Sequence, residues 1–242
     1  MKTASQNKNS GYSWYMSSSK NREYVHKYAK YNRSQYFNTI QFLHHIPSQF
    51  PPNVVMHLTK SLQSRNNPFT LFIDPYAGWG DRLIASMAMD IDYIGCDTNS
   101  KLVTPYKKMI NFYRNYTDAK VQMYFKKSEN VLSTLRIQKR AISNNTICIT
   151  SPPFYTNSHK IVEEYKNTEK DYYKFFPTLL KNLEILTKIC KWVCFHIPKN
   201  MYNDLKKEYR KCDKIYYIVT RTNKSRGLQE QAIYCWKGNM YN

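Results

Sequence analysis

From Phe69 onward, short apolar runs alternate with stretches whose apolar residues recur at helical spacing. Apolar runs predict strands at Thr70–Ile73, Asp92–Cys96, Val121–Phe125, Thr146–Thr150 and Trp192–His196. Two more, Lys214–Thr220 and Gln231–Trp236, flank a polar Arg221–Glu230 loop and read as an antiparallel hairpin. Between the first five, the pattern predicts helices at Asp81–Met89, Leu102–Asn115, Asn130–Lys139 and Tyr172–Lys188, with a basic helix at Tyr202–Lys211 before the hairpin. Strands separated by helices imply a doubly wound, mostly parallel α/β sheet, here of seven strands with an antiparallel C-terminal hairpin. Ligands of such sheets sit at the carboxyl ends of the strands, near the switch in strand order.

Upstream, residues 1–22 are rich in Ser, Asn and Lys and are expected to form a flexible polar, basic tail. Whether that tail is merely solvated or touches nucleic acid is open. Residues 23–68 read as an N-terminal helical segment packing on the core, with one helix around Ser34–His45 and another opened by Pro52. In the latter, Val55, Leu58 and Leu62 share one face. Residues 69–242 form the main domain. The opening sequence MKTASQNKNSGYSWY has no apolar core of a signal peptide, and no run approaches membrane-spanning length, so a soluble, intracellular protein is expected, of cytoplasm or nucleus or the equivalent viral or bacterial setting.

Charge changes this picture. The chain of 242 residues carries 37 Lys plus Arg against 17 Asp plus Glu, a formal net charge of +20. Such an excess points to polyanionic partners, DNA or RNA; the competing account is a drift that only keeps the protein soluble. Twenty-two Tyr and 11 Phe suit base stacking, although most belong in an ordinary core. Six Cys occur without a Cys-x-x-Cys pair, and four lie in strand-like runs, which predicts buried free thiols. His44-His45 stands near no cysteine cluster, and no metal is expected.

Two stretches carry chemistry. Asp74-Pro75-Tyr76-Ala77-Gly78-Trp79-Gly80 follows the first strand, where glycines let backbone approach a ligand. It is neither a phosphate-cradling Gly-x-x-x-x-Gly-Lys loop nor a complete Gly-x-Gly-x-x-Gly. An acid at Asp74 suits a cationic ligand group, and Asp97, closing the second strand and followed by Thr98, suits ribose hydroxyls; both acids equally suit turn formation or helix capping. The second stretch, Ser151-Pro152-Pro153-Phe154, is a rigid extended corner at the end of the fourth strand, followed by an aromatic ring.

Together these motifs resemble those of class I S-adenosylmethionine-dependent amino-methyltransferases, Rossmann-like enzymes acting on exocyclic amines of nucleic-acid bases. Tyr76-x-Gly78-x-Gly80 matches their cofactor motif, and Ser151-Pro152-Pro153-Phe154 their catalytic Asp/Asn/Ser-Pro-Pro-Tyr/Phe. The resemblance covers about Phe69 to Trp236. It implies that Tyr76, Ala77, Gly78 and Gly80 line the methionine moiety of S-adenosylmethionine, that Asp74 faces its amine, that Asp97 with Thr98 binds its ribose, and that Ser128 or Glu129 contacts its adenine. It further implies that Ser151 and the Pro152 carbonyl accept from the target amine, while Phe154 stacks on the base. The serine form resembles cytosine-N4 enzymes most, giving DNA a slight preference (cytosine N4 or adenine N6); the alternatives are an RNA base methyltransferase, acting on adenine N6 or guanine N2, and a non-catalytic subunit of the same fold. No separate target-recognition domain is evident, so a protein partner could supply recognition.

Further candidates carry less. Arg221, Lys224 and Arg226 in the hairpin loop could grip phosphates or form a charged turn. His196 ends the fifth strand, where a packed or capping histidine is expected. His159, Glu163 and Glu164 could wall the substrate or lie in a solvated loop. Lys206, Lys207, Arg210 and Lys211 read as a solvated helix face.

Overall fold

The computed structural model describes residues 50–142, 145–155, 169–221 and 228–239. The strands are β1 (Leu71–Asp74), β2 (Asp92–Cys96), β3 (Val121–Tyr124), β4 (Thr146–Thr150), β5 (Trp192–His196), β6 (Lys214–Arg221) and β7 (Leu228–Lys237). They form one sheet in the order β3-β2-β1-β4-β5-β7-β6. The first five are parallel, whereas β7 runs antiparallel to both β5 and β6. This is the Rossmann-like, mostly parallel seven-stranded sheet with an antiparallel hairpin that the alternation predicts.

The order reverses between β1 and β4. From β1 the chain winds outward through β2 to β3; it then returns to β4 and winds the other way through β5. Adjacent β1 and β4 pair in register, Leu71 with Thr146 and Ile73 with Cys148, so their carboxyl ends open together. The two motifs leave the sheet side by side at this switch.

Both faces of the sheet are covered. Leu71 and Ile73 point into a core shared with the helices α4 (Ser128–Leu132), α5 (Leu135–Ile142), α6 (Tyr172–Ile189) and α7 (Lys199–Glu208). Phe72 points the opposite way, into a core with α1 (Pro52–Leu62), α2 (Asp81–Met87) and α3 (Val103–Tyr113). Strands buried on both faces need continuous apolar runs, as β1, β4 and β5 have. In α1 the proline opens the helix, and Val55, Leu58 and Leu62 are buried along one stripe. All six cysteines are free and buried. Among the described residues no helix is long and apolar enough to cross a membrane.

Three boundaries depart from the expectation for identifiable reasons. The helix expected at Asn130–Lys139 is two short ones, α4 and α5. Ser133 and Thr134 interrupt it, and the Thr134 hydroxyl bonds the Val131 carbonyl at 2.8 Å, a local alternative to the helical ladder. Helix α7 starts three residues early because Pro198 ends the extended chain and leads directly into it, and it stops at Glu208. Arg210 is therefore not on its face: its Nη1 pairs with Asp213 at 2.9 Å, its Nη2 donates to the Lys237 carbonyl, and its own carbonyl accepts from Trp236 Nε1 at 3.1 Å. It straps the hairpin, while Lys206, Lys207 and Lys211 are exposed. The hairpin strands are longer than expected, so Arg221 closes β6 opposite Leu228 instead of lying in the loop. Lys224, Arg226, His159, Glu163, Glu164, His44-His45, residues 1–22 and the helix expected at Ser34–His45 lie outside the described residues.

Gly238 ends the hairpin against the turn after α6, where its amide donates to the Lys191 carbonyl at 2.9 Å. A Cβ there would stand 2.0 Å from the Cys190 carbonyl oxygen, which is backbone and cannot swing away. Gly238→Ala is expected to lower unfolding free energy by about 3 kcal/mol, the upper part of the overpacking range, measured by urea denaturation.

Candidate functional site

The turn after β1 is built around a buried ion pair. Asp74 is fully buried at the strand's end, and Arg82, on the first turn of α2, is 5% exposed. Arg82 Nε donates to Asp74 Oδ2 at 2.7 Å, and the same oxygen accepts from the Tyr93 hydroxyl of β2 at 2.8 Å. The other oxygen accepts from the Thr150 hydroxyl of β4 at 2.6 Å, with the Tyr76 amide at 3.4 Å. Four donors occupy the four acceptor positions of one carboxylate. Asp74 therefore does not offer itself to a ligand amine, as the cofactor-amine role requires: Arg82 holds the place that a ligand cation would take. Burial works against the Arg82 charge, but the Asp74 carboxylate outweighs it and holds the guanidinium's pKa above its usual value.

This pair shapes the glycine turn. Arg82 also donates to the Tyr76 carbonyl, and the Ala77 amide donates to the Cys96 carbonyl of β2 at 2.8 Å. Gly78 and Gly80 have φ of 58° and 94°, in the left-handed region where a side chain is strained. At Gly80 a Cβ would also fall 2.5 Å from Met109 Cε. The Tyr106 hydroxyl donates to the Gly78 carbonyl at 3.0 Å, which fixes the direction of that carbonyl.

Asp97 sits immediately past β2 and is half-buried. Its Oδ2 accepts from the Gly78 amide at 2.9 Å and its Oδ1 from the Asn99 amide at 2.7 Å. One acceptor position remains on each oxygen. Burial raises its pKa, opposed by the Asn99 and Gly78 amides. Thr98 beside it is exposed. Asp97 thus has acceptor capacity that Asp74 lacks.

On the α6 side, Asn182 is a residue that the motifs do not reveal. It is fully buried, and its Nδ2 donates to both the Tyr76 hydroxyl and Ser128 Oγ at 2.8 Å. Its Oδ1 has no hydrogen-bond partner. Rotating the amide would exchange which atom is left over and satisfy neither arrangement fully. A signal exists in the sequence: a carboxamide in the buried stripe Tyr172, Phe175, Leu179, Asn182, Leu183, Leu186 breaks an otherwise apolar pattern. Ser128 is buried in this network, while Glu129, half-buried in the first turn of α4, lies near enough to raise the proton affinity of Tyr76 and Cys96 after the larger effect of burial.

The second motif leaves β4 one residue past Thr150. Ser151 and Phe154 are half-buried; Pro152 and Pro153 are buried. Tyr155 anchors the corner, stacked on Phe175 with centroids 5.3 Å apart. His196 is packed, as expected of it, but it also meets the motif: its Nδ1 is 3.3 Å from Ser151 Oγ, and the Phe154 ring meets it edge-on at 5.2 Å. Phe50 stacks on the other side of His196 at 5.1 Å. The two motifs are thus tied together: Thr150, at the foot of the corner, bonds the carboxylate that pins the glycine turn.

No family model matches the chain, and comparison with curated proteins finds no match. Solved structures do resemble it. A SAM-dependent methyltransferase from Agrobacterium tumefaciens superposes with a TM-score of 0.56 at 12% identity, over 81% of this chain and 65% of that one, so this chain spans just under two thirds of that protein. The N-terminal domain of human METTL16 in complex with SAH superposes at 0.51, with 18% identity, over 79% of this chain and 72% of that one. The hMettl16 catalytic domain in complex with a MAT2A 3′UTR hairpin superposes at 0.52, with 15% identity, over 79% and 72%. The chain has the fold of SAM-dependent methyltransferases.

Removing one member of a buried ion pair leaves the other charge uncompensated, typically costing about 3–5 kcal/mol. Arg82→Leu is expected to destabilise the protein on that scale in urea unfolding. The double variant Arg82→Leu/Asp74→Asn should recover part of the loss, because the stranded charge is gone.

Proposed function

We propose that this chain binds S-adenosylmethionine at the β1–β2 end of the switch and transfers its methyl group to an exocyclic amine of a nucleic-acid base held at the Ser151–Phe154 corner. The observation that carries the reading is the joining of the two motifs through the Thr150–Asp74 hydrogen bond, which brings the glycine turn and the aromatic corner together at the carboxyl ends of β1 and β4. When bound, the cofactor supplies an electrophilic methyl group on a sulfonium and needs no metal.

The residues present fit that cofactor in part. Asp97, with an acceptor position open on each oxygen, suits two ribose hydroxyls, with Thr98 beside it. Gly78 and Gly80 bring backbone rather than side chain to the methionine part, supported by Tyr76 and Ala77. Ser128 and Glu129, which open α4 after β3, are assigned to the adenine. Asp74 contributes indirectly, by holding the turn through Arg82.

For the base, Ser151 Oγ and the Pro152 carbonyl are acceptors and Phe154 is the stacking ring. An exocyclic amine is a poor nucleophile because its lone pair is delocalised into the ring. Acceptors placed at its two hydrogens favour the pyramidal nitrogen of the transition state, and positioning supplies much of the rate. Reaching that amine in a duplex requires base flipping, a cost that a single strand avoids. The serine's resemblance to cytosine-N4 enzymes supports cytosine N4 over adenine N6 within the slightly preferred DNA reading. The likeness to a domain solved with an RNA hairpin supports RNA, adenine N6 or guanine N2, as the second substrate class. The net charge of +20 supports attraction to either.

The test is methyl transfer from labelled cofactor to DNA and to RNA, followed by mass analysis of the modified nucleosides. A base-methylated nucleoside is expected from one of them; tight cofactor binding with no transfer to either would support a non-catalytic subunit instead. Asp97→Ala is expected to weaken cofactor binding by about 1–3 kcal/mol in calorimetry, the loss of charge-assisted hydrogen bonds. Because the Asp97 pKa is raised, wild-type cofactor affinity should fall on acidification at a pH above the ordinary aspartate range, as the carboxylate gains a proton and loses an acceptor. Asp97→Asn should flatten that dependence. Affinity for a short oligonucleotide should drop steeply with added salt; a flat response would assign the basic surface to another purpose.

A further inference from the structure

His196 is more than packing beneath the corner. The imidazole is 7% exposed and gripped on two sides. Phe50 lies parallel to it, 5.1 Å between centroids at 10°, and Phe154 stands across it, 5.2 Å at 70°. These contacts set the plane of the ring, and in that plane Nδ1 faces Ser151 Oγ at 3.3 Å. Phe50 is itself steadied by the Arg82 guanidinium, 5.9 Å from its centroid.

A serine hydroxyl has one proton and two lone pairs. To accept from a target amine it must turn its lone pairs toward the site, and its proton must then go elsewhere. Among the described residues two acceptors lie within reach, His196 Nδ1 at 3.3 Å and the His196 carbonyl at 3.5 Å, and both belong to the same residue. The nitrogen is the nearer, and it accepts whenever the ring is neutral with its proton on Nε2. A carboxylate or carboxamide in the serine's place presents an acceptor oxygen without help. A hydroxyl has to be oriented.

We propose that His196 is a positioning residue for methyl transfer: its Nδ1 accepts a hydrogen bond from the Ser151 hydroxyl and so turns the hydroxyl oxygen's lone pairs toward the base amine. The inference rests on the base-amine reading of the site. It adds that the serine corner works only with a hydrogen-bond acceptor behind it.

Two substitutions separate orientation from packing. His196→Phe keeps an aromatic ring between Phe50 and Phe154 but removes the acceptor. His196→Asn keeps an acceptor near the Nδ1 position but gives up the ring. His196→Phe is expected to lower kcat roughly 10–100-fold, the scale seen when a group orienting a functional side chain is removed, with oligonucleotide KM, cofactor affinity and melting temperature near wild type. His196→Asn should melt earlier yet recover part of kcat. A packing role gives the opposite order, with Phe tolerated and Asn impaired throughout. Nitrogen NMR of the imidazole provides a reading independent of turnover: Nδ1 should be the unprotonated nitrogen, and its resonance should shift in Ser151→Ala. Wild-type kcat in His196→Phe, or an Nδ1 resonance that ignores Ser151→Ala, overturns the inference alone. No methyl transfer by the wild-type chain overturns the base-amine reading and this inference with it.

Discussion

The Asp74–Arg82 pair is the constraint on which the site's geometry depends. A carboxylate at the end of a central strand, fully buried, is costly unless its acceptor positions are filled. Here they are filled from β2, β4, α2 and the turn itself, so one carboxylate fixes the relative placement of four pieces of chain. The glycine turn cannot relax without breaking one of those bonds, and the serine corner begins one residue from another. A buried ion pair is a poor device for adding stability, but a good one for making alternative arrangements expensive. At a switch point, where the connections from neighbouring parallel strands wind in opposite directions, that is what a binding site needs.

Much of the fold was legible because buried parallel strands leave continuous apolar runs, and β2, β4 and β5 have the bounds that those runs predict. What was not legible follows from interactions that a linear pattern does not contain. The split between α4 and α5 comes from the Thr134 hydroxyl competing for a helical carbonyl, which changes hydrogen bonding without changing apolar periodicity. Arg210 looked like one more cation of a basic helix; its partners, Asp213, Lys237 and Trp236, are brought to it by hairpin pairing.

The site shows the same division. Gly78 and Gly80 could be read from sequence because a left-handed φ nearly demands glycine. The bonding of Asp74 is not legible, because an acid beside a glycine turn suits a ligand group or a turn alike, and its neutralising partner, Arg82, lies within the following helix, where it passes for ordinary surface charge. Asn182 was missed although a carboxamide in an apolar stripe marks it, since a stripe position predicts burial but not what it will bond. Sequence motifs thus identify the backbone of this site better than its polar network, since backbone demands are local and polar partners are not.

Arg82 is the cation at the heart of the site, and it is engaged with Asp74. Among the described residues the other ion pairs, Arg140–Asp92, Lys207–Glu208 and Arg210–Asp213, lie at the surface or partly exposed and involve few of the 37 basic side chains. On the proposed reading, the excess of +20 draws a polyanion but cannot tell one base from another. On that reading, discrimination falls to the neutral corner, where a hydroxyl, a proline carbonyl and the Phe154 ring meet the base, with the buried His196 behind them. Those groups recognise an amine and a flat ring, features shared by cytosine, adenine and guanine. A site with this division of labour selects the kind of group it modifies by chemistry, and leaves the choice of sequence to the shape of the strand presented to it or to a partner that presents it.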